Sequence, residues 1–315
     1  LGGGTPSLLG GARIAALVQT ARDCYGLRGA EITVECNPSD VDGHLFEALA
    51  GAGVSRISLG LQSAVDEERK ALGRRAGVKE AAASIRLAGA AGIQNLSLDL
   101  MLGIPGQTAE SLRRSIDFCT QAGVCHISAY LLKIEEGTPF AQRRASLVLP
   151  NEDTVCDLYE QACEELEAAG FQQYEISNFA RHGFESRHNL KYWNAEEYLG
   201  LGASAHSFLG GKRFFYPRDR DAFLRGEGPI QDGEGGSFEE YAMLRMRLAD
   251  GLIESLARQR YGCGIPPYMR ESARRMEQYG LTSQDEDGIR LTRKGFLLSN
   301  TVIAELLYPA GGTAG

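Results

Sequence analysis

The 315-residue chain has no run of about 18 consecutive apolar residues, so no segment reads as a membrane-spanning helix. Its start, Leu1-Gly2-Gly3-Gly4-Thr5-Pro6, shows neither the basic n-region nor the apolar stretch of a secretory signal. Positive charge is also short. Against 41 Asp and Glu there are 33 Lys and Arg, a net charge of −8, which argues against nucleic-acid binding by the chain as a whole. Arg69, Lys70, Arg74 and Arg75 form one basic cluster, and on its own it reads as a solvated helix face. Tryptophan occurs once. The seven cysteines are odd in number, and no two have the C-x-x-C spacing. Cys156 and Cys163 fall on a predicted helix, roughly 10 Å apart along its axis, too far to share one tetrahedral metal. The cysteines therefore read as small buried hydrophobes kept reduced, which places the chain in the cytoplasm.

What is present is a repeat of strand and helix. Runs 31–36, 56–61, 96–101 and 126–131 are short, β-rich and followed by polar or glycine residues. Helix-length segments at 12–25, 42–51, 64–72, 79–91 and 108–122 lie between them, with apolar spacings of three and four, as in Ile14, Leu17, Val18 and Ala21. Such alternation predicts a parallel sheet with right-handed crossovers, whose chemistry gathers at the C-terminal strand ends. Those ends hold Gly3-Gly4-Thr5, Glu35, Gln62, Asp99 and Gly103. A glycine turn normally follows a strand, so one further strand–helix unit is expected before residue 1. An amphipathic helix is predicted over 151–169, capped by Asn151 or Asp153, and a further strand over Tyr174–Ser177. Residues 226–237 have a linker composition. Beyond them, helices at 238–250, 268–279 and 293–307 with a short strand at 289–292 suggest a winged-helix-like module. The expected domains are thus 1–205, a connecting segment 206–236, a C-terminal domain 237–309, and a disordered tail 310–315.

Two clusters point to ligands. Glycines 2–4 let backbone N–H groups approach a polar ligand closely, and Pro6 sets the exit. An amino-acid ligand needs an acceptor for its ammonium and a donor for its carboxylate, roles that suit Glu35 and Arg74. A ribose needs acceptors, which Asp99 or Gln62 supplies. The second cluster is His188-Asn189-Leu190-Lys191-Tyr192-Trp193, where a histidine beside two aromatics suits haem ligation and porphyrin stacking, or simple core packing.

Five motifs in order, Leu1–Leu9, Glu31–Pro38, Arg56–Ser63, Leu98–Gln107 and His126–Tyr130, resemble the radical S-adenosylmethionine proteins of the oxygen-independent coproporphyrinogen III oxidase group. The resemblance implies a partial (β/α)6 barrel holding S-adenosylmethionine beside a [4Fe-4S] cluster. Gly3, Gly4 and Thr5 match positions that contact the methionine part. Glu35, Gln62, Arg74 and Asp99 match further binding positions for the two cofactor molecules some members hold. The family's C-x3-C-x2-C loop precedes the glycine turn and is not in this sequence, so its cysteines are expected upstream of Leu1, and the chain as given is not expected to cleave the cofactor.

H-N-x-x-Y-W is similar to the signature of the HemW branch, regarded as haem chaperones, which implies haem contacts at His188, Tyr192 and Trp193. Tyr198–Ser207 resembles the family's next segment and makes His206 a second, weaker ligand candidate. Thr292–Phe296 with Ser299-Asn300 resembles its C-terminal domain, read as a lid or interaction module. Three functions stay open: haem delivery, with a membrane haem protein as a possible recipient; oxidative decarboxylation of coproporphyrinogen III; and a different radical reaction.

Overall fold

The computed structural model describes residues 1–309, so the tail expected from Ala310 lies outside the described residues. The chain forms two compact units, the first Leu1–Glu185 and the second beginning at Ser186, so that residues 186–205 group with the second.

In the first unit the strands are β1 (Thr33–Cys36), β2 (Arg56–Gln62), β3 (Asn95–Leu102), β4 (His126–Leu131), β5 (Gln172–Gln173) and β6 (Asn178–Ala180). They form one sheet in the order β1-β2-β3-β4-β6-β5. β1 to β4 are parallel, each linked to the next by helices: α2 (Gly43–Gly51), then α3 (Asp66–Ala71) with α4 (Val78–Ala90), then α5 (Ala109–Gln121). This is the α/β repeat that the sequence predicts, with strand bounds within about two residues. Before β1 runs α1 (Gly11–Tyr25), and after β4 come α6 (Pro139–Gln142) and α7 (Glu152–Ala168). Asn151 caps α7 by accepting from the Thr154 N–H (2.8 Å), the first of the two expected caps.

The predicted strand at Tyr174–Ser177 is instead the turn of an antiparallel hairpin. β5 and β6 flank it, and β6 runs antiparallel to β4. The run is β-rich in composition, but Tyr174 N–H donates to Asn178 O and Asn178 N–H to Glu175 O, closing a turn, and among the described residues Ser177 O alone of the run accepts from β4, from Ala129 N–H (2.7 Å).

The two faces of the sheet differ. Ile57, Leu59 and Leu61 of β2, Leu98, Leu100 and Leu102 of β3, and Ile127 and Ala129 of β4 are buried on the helix side, where α4, α5 and α7 pack. Truncating one such leucine to alanine costs about 3 kcal/mol. The other face carries Thr33 and Glu35 of β1, Arg56 and Ser58 of β2, Asn95, Ser97 and Asp99 of β3, and His126, Ser128 and Tyr130 of β4. A parallel sheet covered by apolar layers on both sides reads as continuous hydrophobic strands, so this strict alternation marks a polar-lined interior.

The second unit begins with α8 (Arg187–Trp193) and a three-stranded antiparallel sheet of β7 (His206–Leu209), β8 (Lys212–Phe215) and β9 (Ile230–Glu234), with α9 (Arg220–Leu224) between the last two. β9 lies inside the stretch whose Gly and Pro content reads as linker. All five of its residues are exposed, so it is an edge strand defined by backbone pairing with β8 and not by a core-facing pattern. The remainder contains α10 (Phe238–Arg245), β10 (Leu252–Ile253), α11 (Glu254–Tyr261), α12 (Pro267–Glu277), the hairpin β11 (Thr282–Gln284) and β12 (Gly288–Leu291), α13 (Arg293–Leu297) and α14 (Ser299–Leu307). The single helix expected over 293–307 is interrupted at Leu298. The β11–β12 turn holds Asp285, Glu286 and Asp287 in succession, an acidic tip that repels phosphate where a DNA-reading wing would be basic.

Candidate functional site

The glycine turn sits on the free edge of β1. Leu1 N donates to Thr33 O (2.6 Å) and Leu1 O accepts from Glu35 N–H (3.1 Å), so residue 1 pairs across Val34 as a parallel-strand residue does. The turn that follows presses on Glu35. A Cβ on Gly2 would stand 2.6 Å from Glu35 Oε1, so the carboxylate occupies the space glycine leaves. Gly3 has φ +83°, a conformation that favours glycine, and a Cβ on Gly3 or Gly4 would meet nothing within 4 Å. Their backbone is open to a ligand. Thr5 is half-buried, and its carbonyl accepts from Leu8 N–H (3.1 Å) to start the 3-10 turn Pro6–Leu9.

Gln62 ends β2 in a left-handed conformation, φ +71°, beyond a register shift between Gly60 and Gln62. Positive φ at a non-glycine residue stores strain, and here it turns the amide back along the strand. Gln62 Nε2 lies 3.1 Å from where a Cβ on Gly60 would be, and Gly60 pairs with Asp99. The turn is held from behind. Ser63 Oγ donates to buried Glu68 Oε2 (2.5 Å), and Arg69 Nη1 donates to Ser63 O (2.6 Å). Arg69 is therefore buried and also pairs with Asp66, not solvated as the basic cluster reads in sequence.

Asp99 accepts from Ser58 Oγ (3.1 Å) and stands opposite Ser128 of β4. Loss of hydration pushes its carboxyl above the usual range, while the two serines and the Arg56 charge hold it back. The register thus brings Glu35, Gln62 and Asp99 to one polar face beside Gly2. Arg74 is exposed on the loop between α3 and α4, and among the described residues no hydrogen bond or ion pair joins it to those three.

Several residues on this face escape a reading of strand ends. Arg56 is buried, and its Nε has no hydrogen-bond partner. His126, fully buried, bridges Ser97 Oγ (2.7 Å) and Tyr174 Oη (2.8 Å). Burial, then the Arg56 charge, lower its pKa well below the usual value, so the imidazole is neutral. Asn178 is buried on β6 with Oδ1 unpartnered. The signal for Arg56 and His126 is the alternation R-I-S-L-G-L-Q, N-L-S-L-D-L-M and H-I-S-A-Y-L along three strands, which does not reach Asn178. At the end of β3, Gly103 N–H donates to Gln107 Oε1 (2.7 Å) and Gln107 Nε2 to Met101 O (3.0 Å), stapling the turn below the rim.

In the second unit, α8 carries His188 on its exposed side and Tyr192 and Trp193 half-buried. Ser186 caps the helix, accepting from Asn189 N–H (3.4 Å). His188 Nε2 and Tyr192 Oη are 2.9 Å apart, one helical turn along, with the rings edge-on at 4.9 Å. Tyr192 in turn meets Tyr198 edge-on at 4.5 Å. Burial first, then Tyr198, raise the Tyr192 pKa, so it stays a neutral phenol and His188 is the better ligand for iron. His206 is exposed and stacks on Phe215 at 5.1 Å. The far end of α8 is gripped by two arginines: Arg260 donates to Asn194 O (2.6 Å) and Ala195 O (2.5 Å), and buried Arg245 to Asn194 Oδ1 (2.6 Å). Cations there complement the carbonyl end of the helix.

The Radical SAM superfamily model matches residues 1–119, and the HemN C-terminal domain model matches residues 238–298. The protein "Heme chaperone HemW" of Mycobacterium tuberculosis is 38% identical over 318 residues, covering 98% of this chain and 80% of that protein. The chain belongs to the HemW family of radical SAM proteins. HemW of Bacillus subtilis is 33% identical, with 98% of this chain and 84% of that protein covered. Among solved structures, the radical SAM enzyme coproporphyrinogen III oxidase (HemN) of Escherichia coli aligns over 98% of this chain and 77% of its own, with a TM-score of 0.81 and 22% identity, which establishes the fold.

Membership of the HemW family implies S-adenosylmethionine and a [4Fe-4S] cluster. The open Gly3–Gly4 backbone, Glu35, the turned Gln62 amide and the serine-bonded Asp99 fit the nucleoside amino acid. For the cluster, no group of three His, Cys, Asp or Glu side chains among the described residues is arranged to hold a metal. Cys36, Cys119, Cys125 and Cys163 are buried, Cys156 is half-buried, and Cys24 and Cys263 are exposed.

Proposed function

We propose that this chain is a haem chaperone: it binds haem and S-adenosylmethionine and delivers the haem to haem proteins. The observation that carries this reading is His188, exposed on a capped helix and hydrogen-bonded to a neutral tyrosine, in a chain 38% identical to a HemW. His188 would ligate the iron once its bond to Tyr192 yields, and Tyr192 and Trp193 would line the porphyrin face. Gly3, Gly4, Thr5, Glu35, Gln62 and Asp99 would hold S-adenosylmethionine, with Arg74 reaching it from the α3–α4 loop. When reductively cleaved, that cofactor supplies a 5′-deoxyadenosyl radical; the described residues contribute binding and orientation only, and none of the roles proposed for them depends on a cluster.

A haem protein, membrane-held in one version of this reading, would receive the cargo. Among the described residues no helix is long and apolar enough to cross a membrane. All seven cysteines are free thiols, which supports action in a reducing compartment such as the cytoplasm.

Haem titration tests the proposal. A Soret band that saturates with wild type and is lost in His188→Ala supports it; equal binding by the two proteins contradicts it. The shared fold keeps one alternative in view, conversion of coproporphyrinogen III to protoporphyrinogen IX, and formation of that product by an anaerobic preparation with cluster and cofactor bound would favour it.

A further inference from the structure

Asp99 on β3, Ser128 on β4 and Asn178 on β6 stand in one row of the sheet, since Asp99 pairs with Ser128 and Ser128 with Asn178. All three face the polar interior, and the ends of the row are two strand spacings, about 10 Å, apart. Ser58 donates to Asp99 Oδ1 (3.1 Å) at one end of the row, which leaves Asn178 at the other. Asn178 is only 3% exposed, yet its Oδ1 has no donor. A buried carbonyl oxygen without a partner is costly, and such atoms are normally satisfied by water or ligand.

We propose that Asn178 is a further ligand-binding residue, accepting a hydrogen bond from an N–H or O–H of the nucleoside bound over Asp99. This rests on the reading of the polar face as the S-adenosylmethionine site. Asp99 offers carboxyl oxygens at one end of the row and Asn178 an amide oxygen at the other, so together they select a ligand with two separated donors. A nucleoside has such a pair in its ribose hydroxyls and its base amine. The antiparallel hairpin thereby does what a fifth parallel unit would not: it brings an amide into the row from a strand running the other way.

The experiment is calorimetric titration of S-adenosylhomocysteine, which cannot be cleaved, into wild type, Asn178→Leu, Asn178→Ala and Asp99→Asn, each first checked for a cooperative melt. Loss of the acceptor leaves the ligand's donor unsatisfied and should weaken binding about tenfold in both Asn178 variants. Asn178→Ala, the smaller change, reads the same loss should the leucine fail to fold. Wild-type affinity in the folded Asn178 variants, with Asp99→Asn weakened, overturns the inference and leaves the cofactor site standing. Absence of measurable binding by the wild type overturns the cofactor reading itself.

Discussion

Ser58 Oγ donates to Asp99 Oδ1 across β2 and β3, at 3.1 Å, and holds a carboxylate where hydration is poor. The folded pKa of Asp99 lies above the unfolded one, so the folded state binds more protons in between. Stability therefore falls as pH rises from the unfolded value, about 3.9, through the folded one. Asp99→Asn keeps an acceptor for Ser58 and removes the buried titrating carboxyl. The variant should melt higher than wild type at pH 7 while binding S-adenosylhomocysteine more weakly. Thermal melts and calorimetry read the two effects separately; a lower melting point with unchanged affinity would contradict the assignment.

His126 gives the opposite slope. Its folded pKa lies well below the unfolded value of about 6.5, so the unfolded chain binds the extra proton as pH drops below that value. Wild type should lose stability between pH 6.5 and pH 5, by up to about 1.4 kcal/mol per pH unit from this group. His126→Gln should lower stability at pH 7 yet flatten that slope. Urea midpoints measured across the window, variant against wild type, check it.

Gly60→Ala tests the turned amide of Gln62. The new methyl stands 3.1 Å from Gln62 Nε2 and moves it off its preferred rotamer. A displacement of that kind costs roughly 1 kcal/mol, or about fivefold in cofactor affinity. The melting temperature should change little, since the amide and not the core is what shifts.

Arg260 and Arg245 fix the end of the histidine helix. Arg245→Met removes two charged hydrogen bonds, to Asn194 Oδ1 and to Gly251 O, and should cost about 2 kcal/mol of stability or more. Arg260→Ala removes two hydrogen bonds made by an exposed side chain and should cost less, about 1 kcal/mol, while weakening haem binding several-fold. Soret titrations of the two variants separate anchoring of α8 from global stability.

Much of the fold was legible because α/β units announce themselves: β2 and β4 begin on their predicted first residues, Arg56 and His126, and the Asn151 cap is one of the two named. The Tyr174–Ser177 turn was not, since its composition is that of a strand and only tertiary pairing decides which backbone groups it satisfies. β9 was hidden for the converse reason, as an exposed edge strand has no apolar pattern to read. Of the residues proposed to hold the cofactor, Gly3, Gly4, Thr5, Glu35, Gln62, Arg74 and Asp99 are named from the sequence; Gln62 ends β2, whereas Asp99 lies within β3 and Arg74 on a loop. Arg56, His126 and Asn178 escape that reading because they lie at the N-terminal starts of β2, β4 and β6, away from the C-terminal ends where the chemistry is sought, and β6 has no sequence signal of its own. The alternation that carries Arg56 and His126 looks like ordinary one-sided burial until the sheet is known to be parallel and helix-covered.

Whether His188 ligates haem iron can be read directly from spectra. Resonance Raman or electron paramagnetic resonance spectra of the haem-loaded wild type should show histidine ligation, with His188→Ala losing that signature and His206→Ala keeping it. A haem complex whose ligation signature is unchanged in His188→Ala would contradict the central claim.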